Sequence, residues 1–378
     1  MFFLSVLVAV TGLVILSLWQ CMALVLPSSA LAAAKITTAA MNVLAVAAFF
    51  YVNFKVHANP DDTSPVWANA VTVAAVFVVA EILFCVFVGV AVAWQKFCRY
   101  FYAVPFDPGK RAMIKHGVLY PLTALIMSVY GSAFERKNVV VRRFFVDVPG
   151  EFAPYKIAQL SDIHLGLFFS LDDLRDLLDR TVALKPEALV ITGDLFDDER
   201  QNEAAAKLLG EYSAQFADGI FFCWGNHEYY RNIVATRRYL GNTPVKLLEN
   251  EWVSVRGRLV IAGVDYPMRR DRFAELKDEY AAKAMDDLPQ DAVTVLLAHH
   301  PEFIDNAAEH NVLLTLTGHT HGSQFGIFGY PLFPFFKYTR GIVRVGGSIG
   351  YVHSGNGSWF PLRIGCPPEI AVFTLSGK

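Results

Sequence analysis

The sequence predicts a four-helix transmembrane bundle followed by an α/β domain. Three observations carry that prediction. Hydrophobic residues fill 54% of the 378 positions and charged ones only 18%, against roughly 25% charged in ordinary soluble chains. The deficit is local, because the first 135 residues hold 12 charged side chains while the remaining 243 hold 56. Beyond residue 138, short β-branched runs alternate with helical periodicity, the texture of a layered α/β fold.

Residues 2–26 carry no charge and stop at Pro27. At 1.5 Å rise per residue, about 20 residues cross a hydrocarbon core of about 30 Å, so this stretch reads as a first span. A cleaved signal peptide would have a basic leader and a shorter apolar run. Residues 36–54, 66–95 and 116–134 supply three more spans, separated by Asn59-Pro60-Asp61-Asp62 and by Pro105-Phe106-Asp107-Pro108-Gly109. Four spans place both chain ends on one side. Six Lys/Arg flank that bundle on one side and five on the other, so positive-inside counting leaves the orientation open. Glu81 falls near the middle of the third span, as either a protonated or hydrogen-bonded group inside the bundle or a functional one.

The second half opens with a linker and strand over 136–154, and a separate domain is expected over 155–378. Within it a strand at 156–160 precedes a helix capped by Ser170, in which Leu171, Leu174, Leu177, Leu178 and Val182 share a face and Pro186 ends the element. Further strands fall at 188–192, 220–223, 259–264, 292–298 and 312–316, with helices near 203–216, 232–241 and 272–285. The net charge of −2 and the lack of a clustered basic stripe argue against a nucleic-acid binder. Cys21, Cys85, Cys98, Cys223 and Cys366 form no CxxC pair, so neither a disulfide framework nor a structural zinc site is expected.

Function is written at the strand ends. Successive strands run into Ser161-Asp162-Ile163-His164, Gly193-Asp194, Gly225-Asn226-His227-Glu228, His299-His300 and Gly318-His319-Thr320-His321. Loops beyond the carboxyl ends of strands converge on one crevice in layered α/β proteins. Asp162 and His164, like His319 and His321, stand two apart, so in extended segments each pair would project to one side. Carboxylate, imidazole and amide without thiolate suit two manganese, iron or zinc ions. Two such ions about 3.5–4 Å apart share a hydroxide and clamp a phosphoryl group for in-line attack.

These motifs together resemble the signature of the calcineurin-like metallophosphoesterase superfamily, over roughly residues 139–378. The resemblance implies a two-sheet β sandwich flanked by helices. It implies that Asp162, His164, Asp194 and His321 hold one metal, and that Asp194, Asn226, His299 and His319 hold the second, with Asp194 bridging. His227 would protonate the leaving oxygen or stabilise the transition state. His299 is preferred to His300 because the family's ligand directly follows the strand. Gly346-Gly347 and residues 361–370 resemble the bacterial membrane-associated subgroup that includes phosphodiesterases and enzymes cleaving UDP-2,3-diacylglucosamine. Gly322-Ser323 stands where Gly-Gly is usual, and a four-helix bundle stands where many relatives have a single anchor. The expected protein is thus a multi-pass phosphoesterase of the bacterial inner membrane with two divalent ions, manganese first. It would act on a phosphodiester or pyrophosphate of a lipid- or nucleotide-linked substrate. A sensory or scaffold protein, a nuclease and a protein phosphatase are the alternatives.

Seven aromatics, Phe325, Phe328, Tyr330, Phe333, Phe335, Phe336 and Tyr338, follow the last ligands together with Pro331 and Pro334. They read either as sandwich core or as a loop that meets lipid, since aromatic rings favour the bilayer interface. Lys337, Arg340 and Arg363 are the candidate phosphate or head-group contacts. Asp197 is either a support for a ligand histidine or a turn residue.

Overall fold

The computed structural model describes residues 2–58, 65–102, 119–358 and 360–377. The chain divides into two compact units, Met1–Phe134 with Phe360–Leu362, and Glu135–Trp359 with Arg363–Lys378. The first contains helices α1 (Phe2–Val25), α2 (Ser28–Ala58), α3 (Pro65–Tyr102) and α4 (Leu119–Ala133). Leu18, Phe84, Val88 and Ala124 form its small apolar core. Val52, Val71 and Val79 are buried as well, while many of its large apolar side chains point outward, among them Ile36, Val73, Val90 and Ile126.

Of the four expected spans, two have the length and apolarity of a membrane crossing among the described residues, Ser28–Val52 and Val66–Cys98. Helix α1 carries no charge over its 24 residues. Helix α4 is described from Leu119, where the described residues resume, to Ala133. The expected start of the fourth span at 116–118 and the polar connections at 59–62 and 105–109 lie outside the described residues. Glu81 is buried and accepts a hydrogen bond from Asn42 Nδ2 at 2.7 Å.

In the second unit, two six-stranded sheets face each other. The first has the order β1 (Val140–Asp147), β14 (Glu369–Gly377), β2 (Phe152–Leu160), β3 (Ala188–Thr192), β4 (Gly219–Cys223) and β5 (Lys246–Leu247). The second runs β12 (Gly341–Val345), β13 (Ser348–Val352), β9 (Leu314–Thr317), β8 (Val293–Leu297), β7 (Leu259–Gly263) and β6 (Glu251–Arg256). Strands β3, β7 and β8 are buried at every position, which is why they read as unbroken apolar runs: both their faces are covered. Ile157, Val190 and Phe221 of one sheet pack with Ile261, Val295 and Leu316 of the other. Outside the first sheet, Leu174, Leu177 and Leu178 of α5 (Leu171–Val182) and Leu209 of α6 (Glu199–Ser213) cover Leu189 and Phe222. Outside the second, Ala281 of α9 (Phe273–Ala284) and Phe303 of α10 (Phe303–Glu309) cover Ala262 and Leu296. Here α7 (Asn226–Tyr230) and α8 (Ile233–Gly241) lie between β4 and β5.

Ser170 caps α5 through a reciprocal bond with Asp173. Strand β1, the expected opening strand, pairs in parallel with β14, and β14 pairs antiparallel with β2. The carboxyl-terminal strand therefore occupies the interior of the first sheet.

Candidate metal centre

Strands β2, β3 and β4 run parallel, as do β8 and β9, so the five motif loops leave their sheets at carboxyl ends. Gln159 ties the two sheets just beneath them, its Nε2 donating to Thr192 Oγ1 at 2.9 Å and to the Thr317 carbonyl at 3.0 Å.

The loops bring together Asp162, His164 and His321 in one cluster and Asp194, His299 and His319 in a second. Asp194 lies between them, its Oδ2 3.1 Å from His299 Nε2 and 3.7 Å from His164 Nε2. His164 Nε2 and His321 Nε2 are 2.9 Å apart. Asn226 is buried with no hydrogen-bond partner for its Oδ1.

The extended segments expected around the paired ligands are absent. Asp162 and His164 have φ of 51° and 49°, Asp194 has 54°, and His319 and His321 have 74° and 50°. Left-handed backbone is uncommon outside glycine and collects at functional sites, where the surroundings must enforce it. Here the enforcement is visible. Asp162 accepts from Ser161 Oγ and from the His319 amide. Asp194 accepts from the His227 amide at 2.9 Å. A β-carbon on Gly225 would stand 2.2 Å from Asp194 Oδ1, and one on Gly318 would stand 2.4 Å from Asp162 Oδ2. These two positions require glycine because a carboxylate occupies the space.

Behind the ligands stand two carboxylates. Glu228 is fully buried, and its two oxygens accept the amides of Asp194, Leu195, Phe196 and Gly225. It locks the Asp194 loop to the Asn226 loop. Its place in the Gly-Asn-His-Glu run marks it in the sequence, but its role emerges only from the fold. Asp197 is a support rather than a turn residue, with one oxygen 3.2 Å from His164 Nδ1 and the other 3.0 Å from His227 Nδ1. Arg231 Nε also donates to it at 2.9 Å.

The charges follow from these contacts. Despite burial, His164 and His227 hold Asp197 far below the usual carboxylate range. Burial disfavours a proton on His227, but Asp197 and Asp194 outweigh it and raise that imidazole to about 9. Burial holds His319 and His321 well below the ordinary imidazole range, helped respectively by His299 and His164. His299 Nδ1 faces the Thr192 carbonyl at 2.7 Å, which leaves Nε2 toward Asp194.

His300 joins none of these clusters, although its ring lies 4.9 Å from that of His319. Its ring packs 4.7 Å from Phe273, and burial lowers it to about 3. Lys337 is engaged by Asp305 at 2.8 Å, and Arg340 donates to the Gly365 carbonyl at 3.0 Å. Arg363 was expected as a surface contact for phosphate. It is fully buried and spends its donors on Ser358 Oγ and the carbonyls of Ser354, Gly357 and Cys366. With Nη2 3.4 Å from His321 Nδ1, it backs a ligand and has no face left for substrate.

The residues fit divalent ions. The two imidazole nitrogens of the first cluster are 2.9 Å apart, close enough for one ion with bonds of about 2.0–2.1 Å to reach both. The orphaned Asn226 oxygen and the oxygen and nitrogen donor set point the same way.

The family model for calcineurin-like phosphoesterases matches residues 155–323. A metallophosphoesterase of Aquifex aeolicus is 32% identical over 228 residues, 59% of this chain and 85% of that protein. The chain belongs to the calcineurin-like metallophosphoesterase family. A metallophosphoesterase of Helicobacter pylori is 31% identical over 59% of this chain, and the match spans 60% of that protein's length. A transmembrane protein with a metallophosphoesterase domain from Bos taurus is 29% identical over 90% of this chain and 80% of its own. The family match contains all of the metal clusters, and the bovine match reaches beyond it into the apolar half.

Proposed function

We propose that this metallophosphoesterase is a membrane-anchored hydrolase with two metal ions, cleaving a phosphodiester or pyrophosphate bond in a lipid- or nucleotide-linked substrate. The single observation that carries the reading is Asp194, a buried carboxylate within 3.7 Å of a histidine from each of two ligand clusters. Asp162, His164, Asp194 and His321 would hold one ion and Asp194, Asn226, His299 and His319 the other, with manganese the first choice from the donor set. When bound, such ions make water nucleophilic at neutral pH and stabilise charge on phosphoryl oxygens.

The chain's own residues supply the rest. His227, raised to about 9, carries a proton at neutral pH and is placed to give it to the leaving oxygen. Asp197, 3.0 Å from its Nδ1, keeps that ring charged. The outward apolar side chains of the first unit and its two helices of spanning length support anchorage in a membrane, with a bacterial inner membrane as the proposed location.

Purified full-length protein should hydrolyse bis(p-nitrophenyl) phosphate with manganese and lose the activity with EDTA. No metal-dependent turnover on a panel that includes phospholipids and UDP-diacylglucosamine would refute the hydrolase. Fewer than two tightly bound ions per folded chain would favour a scaffold that has kept only the fold.

A further inference from the structure

The segment after the last histidine ligand carries an apolar surface that catalysis does not use. Its base lies at the metal centre, where the Phe336 ring is 5.1 Å from that of His319. From there the chain projects a small hairpin, Gly326–Ile327 paired with Tyr330–Pro331, turned by Phe328 and Gly329. Phe328 is 98% exposed, Phe335 85% and Tyr330 78%, with Ile327, Leu332 and Phe333 also exposed. Phe333 and Phe335 stack on each other, 6.0 Å between centroids. Phe328 and Phe335 alone present roughly 300 Å² of ring surface, as much as the largest apolar patch of many monomers.

The turn places its largest side chain where two costs coincide. Phe328 has φ of 52°, a conformation that a bulky residue avoids, and nearly its whole ring is in contact with solvent. Asn or Gly would fill that turn position without strain. A compensating gain must come from what the ring touches.

Charge identifies the occupant. From residue 310 to residue 368 there is no Asp or Glu, while Lys337, Arg340, Arg344 and Arg363 all fall in that stretch of a chain whose net charge is −2. Lys337 is neutralised by Asp305 and Arg363 is buried, which leaves Arg340, against Gly326 of the hairpin, and the exposed Arg344 four residues further along the chain. Aromatic rings and prolines followed by cations, with no acid in the segment's own sequence and Asp305 already paired to Lys337, match an anionic bilayer interface, where rings sit at head-group depth and cations meet lipid phosphate.

We propose that the 325–336 segment inserts into the interface of an anionic lipid bilayer, so that the metal centre opens beside the membrane surface. The inference rests on the anchored reading of the chain and is independent of the chemistry assigned to the metals.

The test places p-benzoyl-phenylalanine at Phe328 or Phe335 in the full-length chain, in nanodiscs of phosphatidylcholine and phosphatidylglycerol. Val73 in α3 and Val234 in α8 serve as reference positions, both well exposed. After irradiation, mass spectrometry should find lipid adducts at Phe328 and Phe335 several-fold above Val234, and Arg344→Glu should reduce them. Lipid adducts at Val73 with none above the Val234 level at Phe328 and Phe335 would overturn the proposal while sparing the anchor. Adducts at Phe328 to a second copy of this chain or to another protein would overturn it as well. Loss of adducts at all positions would refute both, and catalysis enters none of these readouts.

Discussion

His227 is the residue on which the proposed chemistry turns, and its protonation depends on Asp197 and Asp194. With Asp197 3.0 Å away the imidazole stays protonated through neutral pH. Replacing a general acid typically costs 10²–10⁴-fold in rate, so His227→Gln should lower kcat by about that factor while both metals, counted by plasma mass spectrometry, remain bound. Asp197→Asn removes a charge that raises the His227 pKa. The basic limb of the pH–rate profile should therefore move to lower pH, and an unmoved limb would show that another group donates the proton. Gly225→Ala tests the ligand directly. Its methyl group would stand 2.2 Å from Asp194 Oδ1, and metal content should fall below that of the native chain.

At the scale of the element, the loops matter more than the strands that launch them. Five ligands sit at positive φ, held there by Glu228, by the glycines at 225 and 318 and by hydrogen bonds between loops. Removing a buried acceptor leaves each donor unsatisfied at about 1–3 kcal/mol. Glu228 accepts four amides. Glu228→Ala should thus cost several kcal/mol on that scale and loosen both metals, read by denaturant unfolding of the second unit and by metal retention. The strands themselves were legible because β3, β7 and β8 are apolar throughout. The edge and terminal pieces were not. Strand β14 has no local signal for its place between β1 and β2, because that pairing joins residues more than 200 positions apart. The hairpin at 326–331 hid for a different reason: its turn is built on Phe328, where turn chemistry predicts Asn or Gly.

For the whole molecule, two expectations concern the units separately. The segments Ser28–Val52 and Val66–Cys98 should keep the full chain with the membrane pellet after alkaline carbonate extraction. In the second unit, His353 is fully buried, its Nδ1 accepts from the Gly355 amide, and burial lowers its pKa. The unfolded chain regains the ordinary value of about 6.5. Below that pH the unfolded state binds a proton that the folded state refuses, so stability is lost as pH falls. The slope approaches about 1.4 kcal/mol per pH unit until the folded pKa is reached. His353→Gln, measured in the metal-free protein between pH 7 and 5, should show a shallower fall than the native chain.

What the sequence determined by itself was the division into an apolar and a polar half, the order of the α/β elements and the set of ligand-bearing loops. Each is encoded within a few neighbouring residues, in charge density, periodicity or a glycine before a ligand. Tertiary structure alone decided the rest. It set the left-handed backbone of the ligands, the roles of Glu228, Asp197 and Gln159, and the withdrawal of Arg363 from the surface to a place behind His321. It also left the aromatic hairpin exposed. These depend on what fills the space around a residue, and that is fixed only when distant segments are packed together.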